Sequence, residues 1–284
     1  MKKYYSGKAR DIYLLSDEEL IIVATDRVSV HTLLPYEIKY KGVVLNKLSE
    51  YWFNKYSDII PNHMITTDLD KLPVSFRKEE FKGRCMLAKK IKMFRVECIV
   101  RGHITGSCYE NYIQGKPICG IQLPSNLKLS QKLKEPIFTP TTKEENGNDS
   151  EIDYSEFENI VGKKYAKQIK KVALEIYNRA YEYLLTKGII LAHTKMEFGI
   201  DNDGNLCLAD ELLTPDCSRF WLEKDFKIGK EQTNFDREEL KDYIESNQKK
   251  GINVRDSVPE DILERISLKY LEIYKIITDE EIVK

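Results

Sequence analysis

Residues 189–213 read IILAHTKMEFGIDNDGNLCLADELL, and this stretch decides the fold of the region around it. Two runs of β-favouring residues, Ile189 to Ile200 and Leu206 to Leu213, flank the turn sequence Asp201-Asn202-Asp203-Gly204. Short apolar runs on either side of an Asp-Gly turn are typical of a β-hairpin. The sequence therefore predicts two antiparallel strands joined by a tight turn.

The register of this hairpin predicts a pair of acids. If Asp203-Gly204 is a two-residue type I′ turn, Glu197 lies directly opposite Asp210. Side chains alternate along a strand, so Lys195 and His193 share the face of Glu197. The other face is apolar and is expected to pack in the core: Met196, Phe198, Ile200, Cys207 and Ala209.

Two carboxylates opposed across a ladder repel each other unless a cation lies between them. Lys195 is one candidate for that cation, and Mg²⁺, which prefers oxygen ligands, is another. We therefore predict that Glu197 and Asp210 are metal ligands. The alternative is an exposed hairpin face on which the charges are only solvated.

Composition excludes several classes of protein. The chain has 284 residues, 42% of them hydrophobic and 32% charged, and a net charge of -1, so nothing favours a nucleic-acid or membrane partner. No apolar run is long enough for a transmembrane helix, and no apolar h-region follows the amino-terminal lysines. The six cysteines form no C-x-x-C pair, which favours reduced thiols over a disulfide framework or a zinc site. We expect a cytoplasmic protein that binds small molecules, and leave its oligomeric state open.

Periodicity outlines the rest of the chain. Short strands are expected within residues 11–24 and 84–100, with a helix at about 44–60 between them. Residues 120–153 show little periodicity and are expected to form a long loop. One continuous helix is expected from about Glu156 to Lys187, ended by Gly188. Two further helices are expected, at about 237–249 and 259–277.

Two turns carry candidate ligand-binding groups. Gly7 lets the backbone approach a ligand, and the neighbouring Lys8 and Arg10 can meet a polyphosphate, although a Walker A loop is not present. The segment Thr214-Pro215-Asp216-Cys217-Ser218-Arg219 suits a phosphate or carboxylate. Taken alone, the first can be an ordinary turn and the second an Asx-turn with a surface arginine.

Together these segments resemble the SAICAR synthetase family, in seven blocks that follow the family's order and cover about three quarters of the chain. The blocks are SGKARDIY at 6–13, ATDRVSV at 24–30, KGVVLNKLSEYWF at 41–53, VECIVRGHITGS at 96–107, PIFTPTTKEENG at 136–147, TKMEFG at 194–199 and LADELLTPDCSRFW at 208–221.

The resemblance implies a two-lobed α+β fold, with a β-rich amino-terminal lobe (residues 1–90) over a larger α/β lobe (91–284) and ATP in the cleft between them. It implies that Lys8 contacts phosphate and that Met86 and Ala88 lie on the strand that binds adenine. Glu197 and Asp210 match the magnesium ligands, and Lys195 a lysine beside the reacting groups. The implied ligands of carboxyaminoimidazole ribotide (CAIR) are Arg101, Ser107, Asp216, Ser218 and Arg219.

The implied reaction is the ATP-dependent joining of CAIR and L-aspartate to give SAICAR, ADP and phosphate, in purine biosynthesis. An acyl phosphate would activate the carboxylate, because oxide is too poor a leaving group for an amine to displace. Two alternatives are kept. One is a related amide ligase acting on another carboxylate or amine, and the other is a kinase-like nucleotide-binding protein without ligase activity.

Three positions depart from the family pattern, and all are expected to face substrate. Val30-His31-Thr32 stands where a small residue, an aromatic residue and an aspartate are usual, and His193 stands where an aspartate is usual. The stretch Asn148-Asp149-Ser150-Glu151 replaces a His-Asp-Glu-Asn-like stretch. Neutral sequence divergence is one explanation of these three differences, and a changed substrate is another. We expect His193 to weaken substrate or second-metal binding, with a pH dependence near the ordinary histidine pKa.

Overall fold

The computed structural model describes residues 3–143 and 149–282, so the end of the PIFTPTTKEENG block and Asn148 lie outside the described residues. The strands are β1 (Lys3–Ser6), β2 (Arg10–Leu14), β3 (Glu19–Ala24), β4 (Arg27–Val30), β5 (Thr32–Glu37), β6 (Met64–Thr66), β7 (Cys85–Lys89), β8 (Lys92–Met93), β9 (Val96–His103), β10 (Lys132–Thr142), β11 (Ile189–Ile200), β12 (Leu206–Ala209) and β13 (Ser218–Leu222). The helices are α1 (Lys41–Lys55), α2 (Gly106–Ile113), α3 (Tyr154–Val161), α4 (Lys163–Leu185), α5 (Glu238–Lys249) and α6 (Glu260–Thr278).

The amino-terminal sheet has five antiparallel strands in the order β1-β2-β3-β7-β6. Helix α1 packs against β3 and buries a stripe of apolar side chains spaced three and four residues apart, which is one face of a helix. These side chains are Val44, Leu45, Leu48 and Trp52, all 0% exposed. A side chain at Gly42 would lie 2.5 Å from the Ala24 carbonyl oxygen, so the glycine permits this close approach.

The second sheet is organised around the long strand β11. Strands β10, β9, β11 and β12 are neighbours in that order, and β13 and β8 also pair with β11. The first half of β11 lies between β9 and β13, and its second half pairs with β12 and β8. Helix α4 packs on this sheet, where the Tyr177 hydroxyl donates a 2.6 Å hydrogen bond to the Leu191 carbonyl.

The two-lobed architecture expected from the family resemblance is confirmed. One sheet is formed by strands within residues 3–89 and the other by strands within 92–222. The carboxy-terminal helix α6 nevertheless packs on α1, and Ser267 Oγ donates to the Lys39 carbonyl at 2.7 Å. The end of the chain therefore supports the amino-terminal lobe, and the domain division at residue 90 stays a prediction.

The predicted loop at 120–153 is wrong over eleven of its residues, because it contains the strand β10. Pro136 and Pro140 argued against a strand, since proline removes a ladder N–H group. Among the described strands β10 has β9 as its neighbour, and its other side has an isolated bridge from Thr141 to Glu151, so β10 lies at the edge of the sheet, where a missing N–H group is tolerated. The two prolines therefore mark an edge strand.

The predicted single helix from 156 to 187 is two helices, α3 and α4, separated at Gly162. The backbone φ of Gly162 is 86°, a value that ends a helix and that glycine adopts without strain. Helix α3 also starts earlier than predicted, because Asp153 and Glu156 form a reciprocal capping box.

The predicted hairpin register is wrong by one residue. Glu197 pairs with Ala209, because three residues, 202–204, form the loop and Gly204 has a φ of 78°. The Asp201 carboxylate stabilises this longer loop by accepting hydrogen bonds from the backbone N–H groups of Asp203 (3.0 Å) and Asn205 (2.8 Å). The shift moves Cys207 and Ala209 from the predicted core face to the face of Glu197.

Two further observations concern the chain as a whole. All six cysteines are free and buried. Among the residues that the structure describes, no helix combines the length and the apolar character needed to cross a membrane.

Candidate active site

A cleft of about 740 Å³ lies between the two sheets. Its wall contains seven of the predicted site residues: Gly7, Lys8, Arg10, Lys195, Glu197, Asp210 and Asp216. The other predicted site residues lie outside this wall: Met86, Ala88, Arg101, Ser107, Ser218 and Arg219. The cleft thus brings the glycine-lysine turn of one lobe to the β11–β12 hairpin of the other.

Glu197 and Asp210 form an acidic pair in this cleft. Asp210 follows the last residue of β12 with a φ of 61°, a left-handed conformation in which aspartate is found more often than most residues. Burial and, after it, the charge of Asp210 raise the pKa of Glu197, and although Lys143 lowers it the net result is about 7. Such a pair favours a cation, and its oxygen atoms suit Mg²⁺. Within residues 3–143 and 149–282, no group of three or more metal-ligand side chains occurs.

Two lysines provide the local counter-charges. Lys143 forms an ion pair with Glu197, and Lys195 Nζ lies 2.6 Å from the Glu97 carboxylate. Glu97 and Lys143 were missed by the sequence analysis. Glu97 precedes the predicted residue Arg101 by four positions in β9, so strand alternation could have placed both on one face.

The glycine-lysine turn joins β1 to β2. The backbone N–H of Gly7 donates to the Arg10 carbonyl at 2.8 Å, and Arg27 Nη2 donates to the Gly7 carbonyl at 2.9 Å. Lys8, at the tip of this turn, is exposed and has no ion pair with a described residue. The turn therefore places in the cleft an ammonium group that has no ion pair with a described residue.

Arg10 forms ion pairs with carboxylates of the protein. Its Nη2 lies 2.8 Å from Glu211, and its Nη1 lies 3.5 Å from Asp210. Burial disfavours the charge of Arg10, but Asp210 and Glu211 outweigh that effect and raise its pKa. Arg10 therefore ties β2 to the segment after β12, across the cleft, and Glu211 is a further residue that the sequence analysis missed.

The cleft also has apolar lining. Five hydrophobic side chains contribute to it: Ile12, Leu20, Ile22, Ile91 and Met93. The side chains of Met86 and Ala88, predicted to lie on the adenine-binding strand, are 2% and 0% exposed, and their strand pairs with β3 and β6, so their role stays a prediction. Lys89, the last residue of that strand, and Ile91 and Met93 just beyond it line the cleft.

A row of three side chains crosses the second sheet. His193 pairs directly with Arg101 of β9 and with Arg219 of β13. Arg101 is 7% exposed, and its Nε donates to Thr139 Oγ1 at 3.0 Å, whereas Arg219 Nη2 lies 3.2 Å from Asp236. Burial, followed by the charges of Arg101 and Arg219, holds the pKa of His193 well below its ordinary value. The predicted pH dependence of ligand binding near the ordinary histidine pKa stays a prediction, and this environment favours the neutral imidazole in the ligand-free protein.

The hydroxyl groups predicted to bind substrate differ in availability. Ser107 is exposed in the first turn of α2. Ser218 is 1% exposed, and its Oγ lies 2.8 Å from Thr194 Oγ1. Ser218 therefore already has a partner inside the sheet.

Asp216 is the centre of a buried polar cluster. Its carboxylate lies 2.8 Å from Lys41 Nζ and accepts a 2.5 Å hydrogen bond from the Tyr270 hydroxyl. Burial alone would raise the pKa of Asp216, but Lys41, Arg237 and Tyr270 lower it below its ordinary value. The cluster joins α1 and α6 to the segment before β13.

Two solved SAICAR synthases have folds similar to that of this chain. The chain superposes on the SAICAR synthase from Saccharomyces cerevisiae complexed with SAICAR with a TM-score of 0.89 and 36% identity, over 100% of this chain and 96% of that chain. A SAICAR synthetase (Type-2) in complex with ADP gives a TM-score of 0.72 and 25% identity, over 99% of each chain. The architecture is that of this class of ligase.

Sequence comparison points to the same family as the structural comparison. The SAICAR synthetase family model matches residues 3–258. The chain is also similar to a phosphoribosylaminoimidazole-succinocarboxamide synthase from Thermodesulfovibrio yellowstonii, with 45% identity over 275 residues that cover 96% of this chain and 94% of the relative. The chain belongs to the SAICAR synthetase family.

Proposed function

We propose that this protein is a cytoplasmic, ATP- and magnesium-dependent ligase of purine biosynthesis that joins CAIR and L-aspartate to give SAICAR, ADP and phosphate. The observation that carries the proposal is the acidic pair Glu197 and Asp210 facing the uncommitted Lys8 across one cleft. Family membership supports the reaction, and a structural neighbour was solved with SAICAR.

The nucleotide occupies the amino-terminal side of the cleft. The apolar wall of Ile12, Leu20, Ile22, Ile91 and Met93 suits the faces of a purine base. Lys8 and the backbone at Gly7 suit the polyphosphate, because a lysine without a protein partner is available to it. A structural neighbour was solved with ADP, which supports this assignment.

Glu197 and Asp210 hold Mg²⁺ in this proposal. A raised pKa at Glu197 means that the ionised pair is costly by itself, and a bound cation removes that cost. When bound, the ion neutralises charge on the phosphate oxygens during phosphoryl transfer. Lys143 and Lys195, next to the pair, add positive charge at the same place.

The ribotide binds next to the row of Arg101, His193 and Arg219. Arg101 has a protein hydrogen bond to a hydroxyl group but forms no ion pair with a described carboxylate, which leaves its charge for an anion. Ser107 and Arg219 contribute further donors. Asp216 and Ser218 act on this site by positioning their neighbours, because their polar atoms already have protein partners.

The residues then support a two-step ligation. A carboxylate oxygen of CAIR attacks the γ-phosphorus of ATP, the bond to the ADP oxygen breaks, and an acyl phosphate forms. The aspartate amine attacks the acyl carbon, phosphate leaves with the C–O bonding electrons, and the amine loses a proton. Lys195 and Lys143 stabilise the negative charge that moves between these oxygens.

A second candidate is a ligase of this family that acts on a different carboxylate or amine. His193 and Thr32 favour it, because both stand at positions where the family usually has an acid. The structure makes His193 a neutral residue between two arginines.

Release of ADP separates these possibilities. The purified protein is incubated with ATP and Mg²⁺, with CAIR and aspartate each present or omitted, and SAICAR is sought by mass spectrometry. We expect ADP and SAICAR in equal amounts only when both substrates are present. ADP release with another carboxylate or amine, and no SAICAR, supports the second candidate, and ADP release without any acceptor indicates a nucleotide hydrolase.

A further inference from the structure

One buried histidine at the cleft has a ring without a hydrogen bond. His63 is 3% exposed, and neither of its ring nitrogens has a hydrogen-bond partner among the described residues. The residue nevertheless contributes to the wall of the cleft that contains Glu197 and Asp210. A buried polar group without a partner costs folding free energy, so an imidazole kept in this state beside a ligand site calls for an explanation.

The backbone of His63 is fixed between the two lobes. Its N–H donates to the Leu208 carbonyl of β12 at 3.0 Å, and its carbonyl accepts a 2.7 Å hydrogen bond from the Lys89 N–H of β7. The ring packs edge-on against Phe53, with the ring centroids 5.3 Å apart. Because Leu208 is two residues before Asp210, His63 is attached to the strand that leads into the acidic pair.

The Asp210 carboxylate has no hydrogen bond of ordinary length to a described residue. Arg10 Nη1 lies 3.5 Å from each of its two oxygens, which is longer than an ordinary N–H···O hydrogen bond. Arg10 makes its close contact with Glu211 instead, at 2.8 Å. Burial lowers the pKa of His63 to about 4, and the charge of Asp210 opposes this effect, so the carboxylate lies within electrostatic range of the ring.

A second buried histidine provides a comparison. His103 is 2% exposed, and its ring contacts Tyr181, Trp221 and Phe226. It is absent from the cleft wall, and the charged group that acts on it is a lysine. His63 differs because it lines the cleft and has a carboxylate within electrostatic range.

We propose that His63 is a positioning residue for the metal site: when Glu197 and Asp210 hold a divalent cation, a ring N–H of His63 donates a hydrogen bond to the Asp210 carboxylate. This inference rests on the metal site of the proposed function. A neutral imidazole has one N–H donor, and a hydrogen bond to a carboxylate that binds a metal fixes the orientation of that ligand. The same contact gives the buried ring its missing partner.

The test measures Mn²⁺ binding, because free Mn²⁺ can be followed by electron paramagnetic resonance. Mn²⁺ is titrated into the wild type and into His63→Phe, each in excess over ADP so that the nucleotide is bound. Phenylalanine keeps an aromatic ring against Phe53 but has no N–H group. Loss of a hydrogen bond to a metal ligand is expected to weaken Mn²⁺ binding about 10- to 100-fold. Equal Mn²⁺ affinities overturn the inference.

Two controls separate positioning from packing. His103→Phe also removes a buried imidazole, but away from the cleft, and should leave the Mn²⁺ affinity unchanged. The ADP affinity of His63→Phe in EDTA, measured by calorimetry, should equal that of the wild type, because His63 acts through a metal ligand. If metal-free ADP binding weakens as much as Mn²⁺ binding, the ring only supports the shape of the cleft, and the proposal fails.

Restoring a donor gives an independent measurement. The side-chain amide of His63→Asn places an N–H near the position of Nδ1, and that of His63→Gln places one near Nε2. We expect one of these variants to recover most of the Mn²⁺ affinity lost in His63→Phe, which also identifies the donor nitrogen. Recovery by neither variant overturns the inference. A wild type that binds no Mn²⁺ with ADP contradicts the metal site of the proposed function and the role of His63 with it, whereas equal binding by wild type and His63→Phe contradicts only the role of His63.

Discussion

Asp210 lies beside Glu197 in the cleft although Ala209, one residue earlier, is the cross-strand partner of Glu197. The chain leaves the strand at Asp210 with a φ of 61°, so its side chain does not follow the alternation of β12. The electrostatic consequence is a pKa of about 7 for Glu197, raised first by burial and then by Asp210. Glu197 and Asp210 are thus brought together by the backbone turn at Asp210 and not by direct pairing between β11 and β12.

Asp210→Asn is expected to abolish turnover and leave the fold intact. Asparagine adopts positive φ as readily as aspartate, so the backbone is unstrained, and the variant loses one hard oxygen ligand for Mg²⁺. The pKa of Glu197 should also fall, because its neighbour is no longer charged. SAICAR formation is measured against Mg²⁺ concentration, with Asp203→Asn in the exposed hairpin loop as the control. Wild-type activity of Asp210→Asn at limiting Mg²⁺ contradicts the assignment.

Lys8→Ala is expected to weaken ATP binding selectively. A charge-assisted contact to phosphate is worth about 1.5–3 kcal/mol, which corresponds to a rise of about 10- to 150-fold in the KM for ATP. The KM for aspartate should be unaffected, because Lys8 is proposed to contact the ATP phosphates only. Lys82→Ala, an exposed lysine paired with Glu79, is the control. If both KM values rise together, the turn has a structural role.

Asp216→Asn is expected to reduce stability more than substrate affinity. Lys41 is 1% exposed, and its ammonium group would remain buried without the carboxylate it now contacts at 2.8 Å. Breaking a buried ion pair in this way costs about 3–5 kcal/mol. Urea unfolding measures the loss, with the exposed Asp225→Asn as the control. Unchanged stability, with a raised KM for CAIR, would indicate that Asp216 binds the ribotide directly.

The folded protein is expected to lose stability as the pH falls from about 6.5 towards 4, which is the window set by its buried histidines. Burial lowers the pKa of both His63 and His103 to about 4. Below an unfolded pKa of about 6.5, only the unfolded chain takes up these protons, so each histidine removes up to about 1.4 kcal/mol per pH unit.

His103→Phe isolates one such histidine. His103 is 2% exposed and packs against Tyr181, Trp221 and Phe226, so an aromatic ring can occupy its place. The unfolding free energy of the variant should fall less steeply than that of the wild type between pH 6.5 and 4. Measurement at pH 8, where the imidazole is neutral in both states, gives the packing difference alone. Parallel pH curves would show that His103 is not responsible.

Much of this protein could be read from its sequence, because the deciding patterns are local. Apolar spacing located α1, α5 and α6 to within a few residues, and alternation with turn residues located β2, β3 and β11. Seven ordered blocks identified the family, which the comparisons confirm. Lys8, Glu197 and Asp210 were identified from residue type and the family resemblance, and the structure places all three in one cleft.

The tertiary structure decided what depends on distant neighbours. The hairpin register followed from the Asp201 carboxylate binding its own loop, and the prolines of β10 were compatible with a strand only because that strand is an edge. Glu97, Lys143 and Glu211 lie within the family blocks, but their ion pairs with Lys195, Glu197 and Arg10 join residues far apart in the chain, and only the fold brings these partners together. Whether a charged side chain is a structural counter-ion or an available ligand depends on which opposite charges the fold brings within about 4 Å, and sequence spacing does not contain that information.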